Sequence, residues 1–298
     1  MNKILVTGAT GHLGKAVLEY LLKKTNAANL SVLIRKPEKA AEFRDMGVAV
    51  KTGDYSDTIK LQEAFKGVDK IYLVSGSDLA NRAAQHKNVI EQAKAAGVKQ
   101  IVYTSFQRKS DANPALGDLA TSHLATEQTL KDSGLIYTIL QHGMYSEIVP
   151  VFAGPQLLES GKLIYPAGDG RISYALRNDL AEAGATILLD ESGRFNNRVL
   201  ELAGSTLTTW SQLAGYISEA TGSSITYISP SEDEYIAAIT KAGLPAEFIH
   251  ILSGFGKAMR EGEFSHISGE LEMVLERKPV GIREYLETEF ITAAGHAH

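Results

Sequence analysis

The chain has 298 residues, of which 44% are hydrophobic and 22% are charged, and it contains no cysteine. This composition is typical of a globular protein with a sizeable core, and the lack of cysteine excludes disulfides, thiolate metal sites and cysteine nucleophiles. The net charge of −5, without a cluster of Lys and Arg, argues against a nucleic-acid partner.

The apolar runs argue against export and membrane insertion. A strand is expected to begin at Ile4, which leaves no room for an N-terminal signal peptide. The longest apolar runs, residues 134–140 and 183–189, are far shorter than the ~20 residues that a membrane span needs. We therefore expect a cytoplasmic protein, monomeric or homodimeric, with no membrane partner.

The first half of the chain alternates short apolar runs with amphipathic stretches. This alternation predicts an α/β fold, a doubly wound parallel sheet of about six strands with helices on both faces. Ligands bind such sheets beyond the carboxyl ends of the strands, where the winding reverses. The predicted strands are residues 3–7, 31–34, 48–52, 70–75, 100–105 and 136–140, and the predicted helices are residues 14–24, 37–45, 56–65, 80–96 and 118–132.

The alternation loosens after Gln141, where Gly and Pro become frequent. We expect residues 1–141 to form the dinucleotide-binding domain and residues 142–298 a smaller, mainly helical lobe. Some segments of that lobe are expected to return to the core. Its predicted helices are residues 178–190, 209–221, 231–242, 246–261 and 282–294, and its predicted strands are residues 198–202 and 225–229.

A glycine-rich stretch, Gly-Ala-Thr-Gly-His-Leu-Gly, joins the first predicted strand to the first helix. Glycines here let the backbone turn sharply and approach a pyrophosphate, whose oxygens the free N–H groups at a helix start can bind. The alternative is an ordinary turn between a strand and a helix. The residues predicted to bind the cofactor here are Gly8, Thr10, Gly11, His12, Leu13 and Gly14.

The second predicted strand ends in a basic segment. An NAD-binding protein usually presents an acid here for the ribose hydroxyls, but this chain has Arg35, with Lys39 one helical turn further. A guanidinium can fork onto a 2′-phosphate, so we expect NADP(H) to be preferred over NAD(H). The alternative is a solvated basic edge balanced by Glu38 and Glu42.

Polar and small residues follow the next three predicted strands. Their shared location at strand ends suits close passage of the adenine, ribose and nicotinamide, although ordinary loop turns use the same residue types. Asp54 has the alternative role of helix capping. The predicted cofactor contacts here are Asp54 and Tyr55, then Ser75, Gly76 and Ser77, then Thr104, Ser105 and Phe106.

No usable Tyr-x-x-x-Lys pair follows the fifth predicted strand, because the one such spacing, Tyr20 to Lys24, falls on the first helix. The corresponding helix carries His123 instead, a candidate for ribose or substrate contact. Its alternative is a surface histidine paired with Glu127. His296 and His298 form a terminal pair, and we predict no metal site.

Several of these segments together resemble the NmrA-like atypical short-chain dehydrogenases. They are the Thr-Gly-Ala-Thr-Gly-His-Leu-Gly turn, Arg35 with Lys39, the Gly-Asp-Tyr of residues 53–55, residues 123–127 and the Gly-Met-Tyr-Ser-Glu of residues 143–147. Within that family the chain resembles the subgroup of NADPH-dependent quinone oxidoreductases and triphenylmethane dye reductases. The resemblance implies a Rossmann lobe, bound NADPH and an aromatic substrate over the nicotinamide.

One segment departs from the family pattern, because Gln141-His142-Gly143 stands where relatives tend to have Arg-Asn-Gly. The loss of the arginine and asparagine puts substrate choice and catalysis in doubt. The resemblance implies a substrate site here, although its aromatic members are equally suited to packing between lobes. The expected substrate contacts are His142, Gly143, Met144, Tyr145, Phe152 and Tyr174.

The sequence thus predicts an NADPH-dependent reductase that transfers hydride to a quinone or a triphenylmethane-type dye. Proximity and orientation would supply most of the catalysis, with water, Tyr145 or His123 as the proton donor. Family members that sense redox state offer an alternative, a regulator that binds NADP(H) without turnover. Azo or carbonyl reduction is a further alternative.

Overall fold

The computed structural model describes residues 2–111 and 113–295, so His296 and His298 lie outside the described part of the chain. The strands are β1 (Ile4–Thr7), β2 (Leu30–Ile34), β3 (Ala49–Thr52), β4 (Lys70–Leu73), β5 (Gln100–Phe106), β6 (Ile136–His142), β7 (Met144–Tyr145), β8 (Lys162–Ile164), β9 (Ile172–Ala175), β10 (Arg198–Leu202), β11 (Leu207–Thr208) and β12 (Thr226–Ile228).

The α-helices flank these strands, and short 3-10 turns span Ala27–Asn29, Pro37–Lys39 and Pro114–Leu116. The helices are α1 (His12–Lys24), α2 (Ala40–Asp45), α3 (Thr58–Phe65), α4 (Arg82–Ala95), α5 (Gly117–Asp132), α6 (Ile148–Ala153), α7 (Leu157–Ser160), α8 (Arg177–Leu189), α9 (Trp210–Thr221), α10 (Glu232–Lys241), α11 (Ala246–Arg260), α12 (Glu270–Leu275) and α13 (Ile282–Gly295).

A seven-stranded parallel sheet forms the centre of the first lobe, in the order β10-β6-β5-β4-β1-β2-β3. The winding reverses between β1 and β4, so the loops that follow these two strands diverge and leave a crevice at their carboxyl ends. The predicted doubly wound sheet is confirmed, with seven strands rather than six. The seventh, β10, comes from the second half of the chain and pairs with β6, with Arg198 opposite Thr138.

Both faces of this sheet are buried, as the apolar runs of its strands require. In β1, Ile4 and Val6 face the layer of α1 and α8, whereas Leu5 faces the layer of α3 and α4. Because α8 belongs to the second half of the chain, it ties that half to the sheet. Its Gly184 lies so close to the Tyr72 ring that an added Cβ would stand 2.7 Å from the hydroxyl.

The second lobe is mainly helical, as predicted, and it also contains a three-stranded sheet, β11-β9-β7, and a two-stranded sheet, β12-β8. Its core is aromatic, with the rings of Tyr165 and Trp210 stacked at a centroid distance of 4.5 Å. Strands of two to four residues are too short to show a recognisable period, so most were not predicted. No helix in the described ranges is long and apolar enough to cross a membrane.

Candidate active site

The glycine turn between β1 and α1 has the tight geometry that a phosphate cradle requires. Gly8 has φ +61°, and its carbonyl accepts a hydrogen bond from the Gly11 N–H at 2.9 Å. A Cβ on Gly14 would stand 2.4 Å from the Gly8 oxygen, so a side chain there would push the helix off the turn. Helix α1 therefore starts directly after the turn, and its first backbone N–H groups can bind an anion there.

This turn forms one end of a groove of about 250 Å³ along the carboxyl ends of β1, β2, β3 and β4. The crevice at the reversal of the sheet thus has the position and the lining expected for a dinucleotide. The predicted cofactor residues that line it are Gly8, Thr10, Gly11, Arg35, Asp54, Tyr55, Ser75, Gly76 and Ser77.

Other predicted cofactor residues lie behind or beside the groove. Leu13 and Gly14 are buried where α1 packs on the sheet, and His12 is exposed on the first turn of that helix. Thr104 is also buried, and its Oγ1 accepts a hydrogen bond from the Ser75 N–H at 2.8 Å. Lys39 lines an adjoining groove of about 310 Å³ instead. These five residues are therefore not part of the groove lining.

The basic edge of the groove is only loosely paired. Arg35 is exposed over 74% of its side chain, and its Nη1 lies 4.0 Å from the Asp54 carboxylate. Glu42 pairs with Lys15 at 2.5 Å rather than with Arg35 or Lys39. A guanidinium held so weakly is free to reorient toward a phosphate.

Asp54 has a local structural role beside the groove. Its Oδ1 accepts the Ser56 N–H at 2.9 Å, which closes the turn after β3. The cap of α3 is a different residue, Asp57, whose Oδ1 accepts the Lys60 N–H at 3.0 Å. Asp54 therefore closes a turn instead of capping the helix, and its second carboxylate oxygen faces Arg35.

A buried histidine on α4 holds the loop after β4. The Gly76 N–H donates to Nε2 of His86 at 3.0 Å, so a neutral His86 carries its proton on Nδ1 and donates it to Thr126 Oγ1, also at 3.0 Å. Burial, together with the smaller effect of the nearby charge of Arg82, lowers the pKa of His86 to about 3. His86 therefore acts as a neutral acceptor for the loop that lines the groove.

Arg82, one turn before His86, fixes the carbonyl of the same loop residue. Its Nε donates to the Gly76 oxygen at 2.6 Å and its Nη1 to Ser122 Oγ at 3.3 Å. Neither Arg82 nor His86 was predicted as a site residue. The sequence did contain a pattern that could have identified them. Arg82 and His86 are four residues apart on the helix face that Val89, Ile90 and Ala93 continue, and this spacing indicates that both polar side chains are buried.

A second cavity of about 200 Å³ opens from the groove, and the two share Ser75. The predicted residues brought together here come from the loop after β4, from β5 and α5, and from the end of β6 and the segment after it. Phe255 and Phe264 were missed because they are distant in sequence. The lining residues are Ser75, Arg82, Ser105, Phe106, Leu119, His123, His142, Gly143, Met144, Tyr145, Ile148, Phe255 and Phe264.

His123 is buried rather than on the surface, with 3% of its area exposed. Its Nδ1 lies 2.7 Å from the hydroxyl of Tyr103, and burial holds its pKa well below the ordinary histidine value. The alternative pairing with Glu127 is wrong. Glu127 instead accepts two hydrogen bonds from Arg108, at 2.9 and 3.0 Å, and one from Ser105 Oγ at 2.5 Å.

His142 and Tyr145 form a hydrogen-bonded pair in the cavity wall. The His142 Nδ1 and the Tyr145 hydroxyl are 3.2 Å apart, and the buried His142 Nε2 has no partner among the described residues. Burial lowers the pKa of His142 to about 3 and raises the pKa of Tyr145 to about 12. At neutral pH the pair is therefore uncharged and keeps a phenolic proton next to the cavity.

Phe152 and Tyr174, expected as wall residues, do not line this cavity. The Phe152 ring lies 5.1 Å from that of Tyr165 and stacks with Trp210 in the aromatic core of the second lobe. Tyr174 is buried in β9, alongside β7. Packing decides both positions, since these rings complete a core that the loop sequence alone did not reveal. In the described ranges no group of three or more potential metal ligands is present.

Comparison with known proteins gives consistent matches over nearly the whole chain. The sequence model of the NmrA-like family matches residues 1–286. Quinone oxidoreductase 2 of Escherichia coli is 43% identical over 242 residues, which are 81% of this chain and 82% of that protein.

Two solved structures share the fold. The NADPH-dependent quinone oxidoreductase of Escherichia coli complexed with NADPH has a TM-score of 0.91 at 38% identity, covering 96% of this chain and 99% of that one. The triphenylmethane reductase of Citrobacter sp. complexed with NADP(H) has a TM-score of 0.86 at 32% identity, covering 98% of this chain and 99% of that one. Both matches include the sheet and the second lobe.

Proposed function

This chain belongs to the NmrA-like family, and on that premise we propose that it is an NADPH-dependent reductase that transfers hydride to a planar aromatic acceptor such as a quinone or a triphenylmethane-type dye. The similar proteins are oxidoreductases crystallised with NADPH or NADP(H), which supports the enzyme class and the cofactor. The observation that carries the proposal is the meeting of the nucleotide groove and the second cavity at Ser75.

Both ends of the groove support this proposal. The turn at Gly8 and the start of α1 would hold the pyrophosphate, since only glycine fits at residue 14 and the first helical N–H groups are available. Arg35 would fork onto the 2′-phosphate after leaving its weak contact with Asp54. When bound, the cofactor supplies the hydride.

The second cavity would hold the acceptor. Its apolar walls include the flat or flexible side chains of Phe106, Met144, Phe255 and Phe264, which suit a planar ring. An acceptor placed here would contact Ser75, the residue that the cavity shares with the groove. Holding the two reactants in this order provides catalysis through proximity and orientation, without a strong acid.

The proton that completes the reduction would come from the cavity wall. We assign this role to Tyr145, whose hydroxyl stays protonated at neutral pH and is oriented by His142 Nδ1. His123 would donate a hydrogen bond to the acceptor oxygen from Nε2, because a Tyr103 hydroxyl that donates to Nδ1 leaves the ring proton on Nε2. Water would then restore the tyrosine proton.

The test is NADPH consumption, followed at the absorbance of the reduced nicotinamide, with a panel of quinones, triphenylmethane dyes, azo dyes and simple ketones. The proposal predicts turnover with a quinone or a dye. Turnover confined to azo compounds or ketones would favour the other reductase chemistries. Tight NADPH binding with no turnover on the whole panel would overturn the proposal in favour of a nucleotide-sensing regulator.

A further inference from the structure

Arg82 is a buried cation with no carboxylate partner among the residues that the structure describes. Only 6% of its area is exposed, and its hydrogen bonds go to a backbone carbonyl and a serine hydroxyl. Within the described ranges no Asp or Glu lies within ion-pair distance of it. The other buried arginine at the site, Arg108, has a side chain that is 4% exposed and is neutralised by Glu127 and Asp111.

An unpaired buried charge destabilises a protein, so its retention needs a reason. Arginine remains protonated in proteins. Burial lowers the pKa of Arg82, and the exposed Asp78 acts in the opposite direction without forming an ion pair. The positive charge of Arg82 is therefore left largely uncompensated by the protein itself.

The position of this charge relates it to the proposed reaction. Arg82 lines the second cavity together with Ser75, and it binds the carbonyl of Gly76, which lines the nucleotide groove. It therefore stands at the junction of the groove and the cavity. An acceptor placed to receive hydride would lie within a few ångströms of the guanidinium.

The two acceptor classes respond to a positive charge in opposite ways. A neutral quinone that takes up a hydride becomes a hydroquinone monoanion, which then takes up a proton, so a nearby cation stabilises the charge that forms. A triphenylmethane cation that takes up a hydride becomes neutral, so the same charge opposes its binding. Its reduction relieves this repulsion but forms no negative charge that Arg82 could stabilise.

We propose that Arg82 makes the cavity selective for neutral carbonyl acceptors whose reduced form is an anion, of which quinones are the model, and against cationic dyes. This inference rests on the proposed function and names the acceptor class of that same site. It assigns Arg82 as a residue that contacts the acceptor and determines specificity.

Acidic residues outside the cavity do not reverse this selection. A groove of about 360 Å³ shares Leu119 and Phe255 with the cavity, and it carries Asp78, Asp118 and Glu247. These three carboxylates are exposed, so salt and water screen them. They can attract a cation to the entrance, whereas Arg82 acts at short range inside a poorly solvated cavity.

The experiment compares Arg82→Gln with Arg82→Lys and Ser122→Ala. Glutamine can still donate to the Gly76 carbonyl but has no charge, lysine keeps the charge, and Ser122→Ala removes one partner of Arg82 while leaving the charge in place. The two acceptors are 1,4-benzoquinone and malachite green. The Kd of NADPH, from nucleotide fluorescence, shows whether the groove is intact.

We expect Arg82→Gln to lower kcat/KM for benzoquinone by about 10- to 100-fold and to leave unchanged or raise it for malachite green. Arg82→Lys should keep most of the wild-type preference, and Ser122→Ala should keep all of it. Equal losses with both acceptors, or the same change in preference from Ser122→Ala, would show that Arg82 only supports the loop and would overturn the inference.

Binding of 4-nitrophenolate, a mimic of the anionic product, gives a readout that does not need turnover. Equilibrium dialysis in the presence of NADP⁺ should show about tenfold weaker binding to Arg82→Gln than to the wild type. If phenolate binding depends on Arg82 but no acceptor is reduced, the proposed function fails and the anion site stands. Phenolate binding that is unaffected by Arg82→Gln would refute the anion site.

Discussion

Acid should destabilise the fold through His86 by an amount that the structure allows us to calculate. In the unfolded chain a histidine takes up a proton near pH 6.5, but burial keeps His86 neutral in the folded protein down to about pH 3. Between these values the unfolded state binds the extra proton, so the free energy of unfolding falls as the pH falls. From pH 7 to pH 5 this single group should remove about 2 kcal/mol.

The assay is urea unfolding at pH 7 and pH 5 for the wild type and for His86→Gln, whose amide oxygen can still accept the Gly76 N–H. Other buried histidines, such as His142, contribute to the wild-type pH dependence and cancel in the comparison. The variant should lose about 2 kcal/mol less than the wild type between the two pH values. The matched control is His250→Gln, at an exposed histidine, which should keep the wild-type pH dependence.

The reasoning would be refuted if His86→Gln and the wild type lost the same stability on acidification. That result would mean that the folded protein also binds a proton at His86 between pH 7 and pH 5. The hydrogen bond from the Gly76 N–H to Nε2 would then be absent at pH 5, because a protonated imidazole cannot accept it.

Three further predictions concern the groove and its supports. Arg35→Ala should raise the Kd of NADPH by roughly 10- to 100-fold and that of NADH by less than twofold, measured by fluorescence titration; equal losses would contradict the 2′-phosphate assignment. Gly14→Ala should lower the free energy of unfolding, measured by thermal unfolding, by about 1–3 kcal/mol and abolish NADPH binding, because the added Cβ would clash with the Gly8 backbone. Gly215→Ala, whose added Cβ would have no atom within 4 Å, should not destabilise the protein. Glu127→Gln should reduce the free energy of urea unfolding by roughly 1–3 kcal/mol, since it leaves the buried Arg108 with the largely exposed Asp111 as its carboxylate partner; a loss below about 1 kcal/mol would show that this pair behaves like an exposed one.

Local sequence patterns were sufficient for the elements from β1 to β6. The strand, glycine turn and helix around Gly8 could be recognised because each requirement concerns neighbours in the chain: a buried run, a positive φ and a close helix approach. Arg35 was recognisable for the same reason, since its place after β2 follows from the strand pattern. The groove-lining residues at the other strand ends needed only the knowledge that parallel strands end at one edge.

The cavity shows where local patterns stop. Phe255 and Phe264 enter its wall from helix α11 and the segment after it, more than a hundred residues from β6, and no spacing in the sequence links them to it. Phe152 and Tyr174, which are nearer in sequence, pack into the core of the second lobe instead. Which aromatic side chain lines a cavity and which fills a core depends on how two lobes pack.

The sequence by itself determined the order of strands and helices in residues 1–142, the position of the glycine turn and the basic residue beside it, because backbone sterics and hydrophobic periodicity act over a few residues. Only the tertiary structure decided that β10 completes the sheet, that Glu127 pairs with Arg108 rather than His123, and that Arg82 stays buried with no carboxylate partner in the described part of the chain. Partners and burial arise from contacts between distant segments. The sequence shows that residue 82 is an arginine, but only the fold places its charge at the junction of the groove and the cavity.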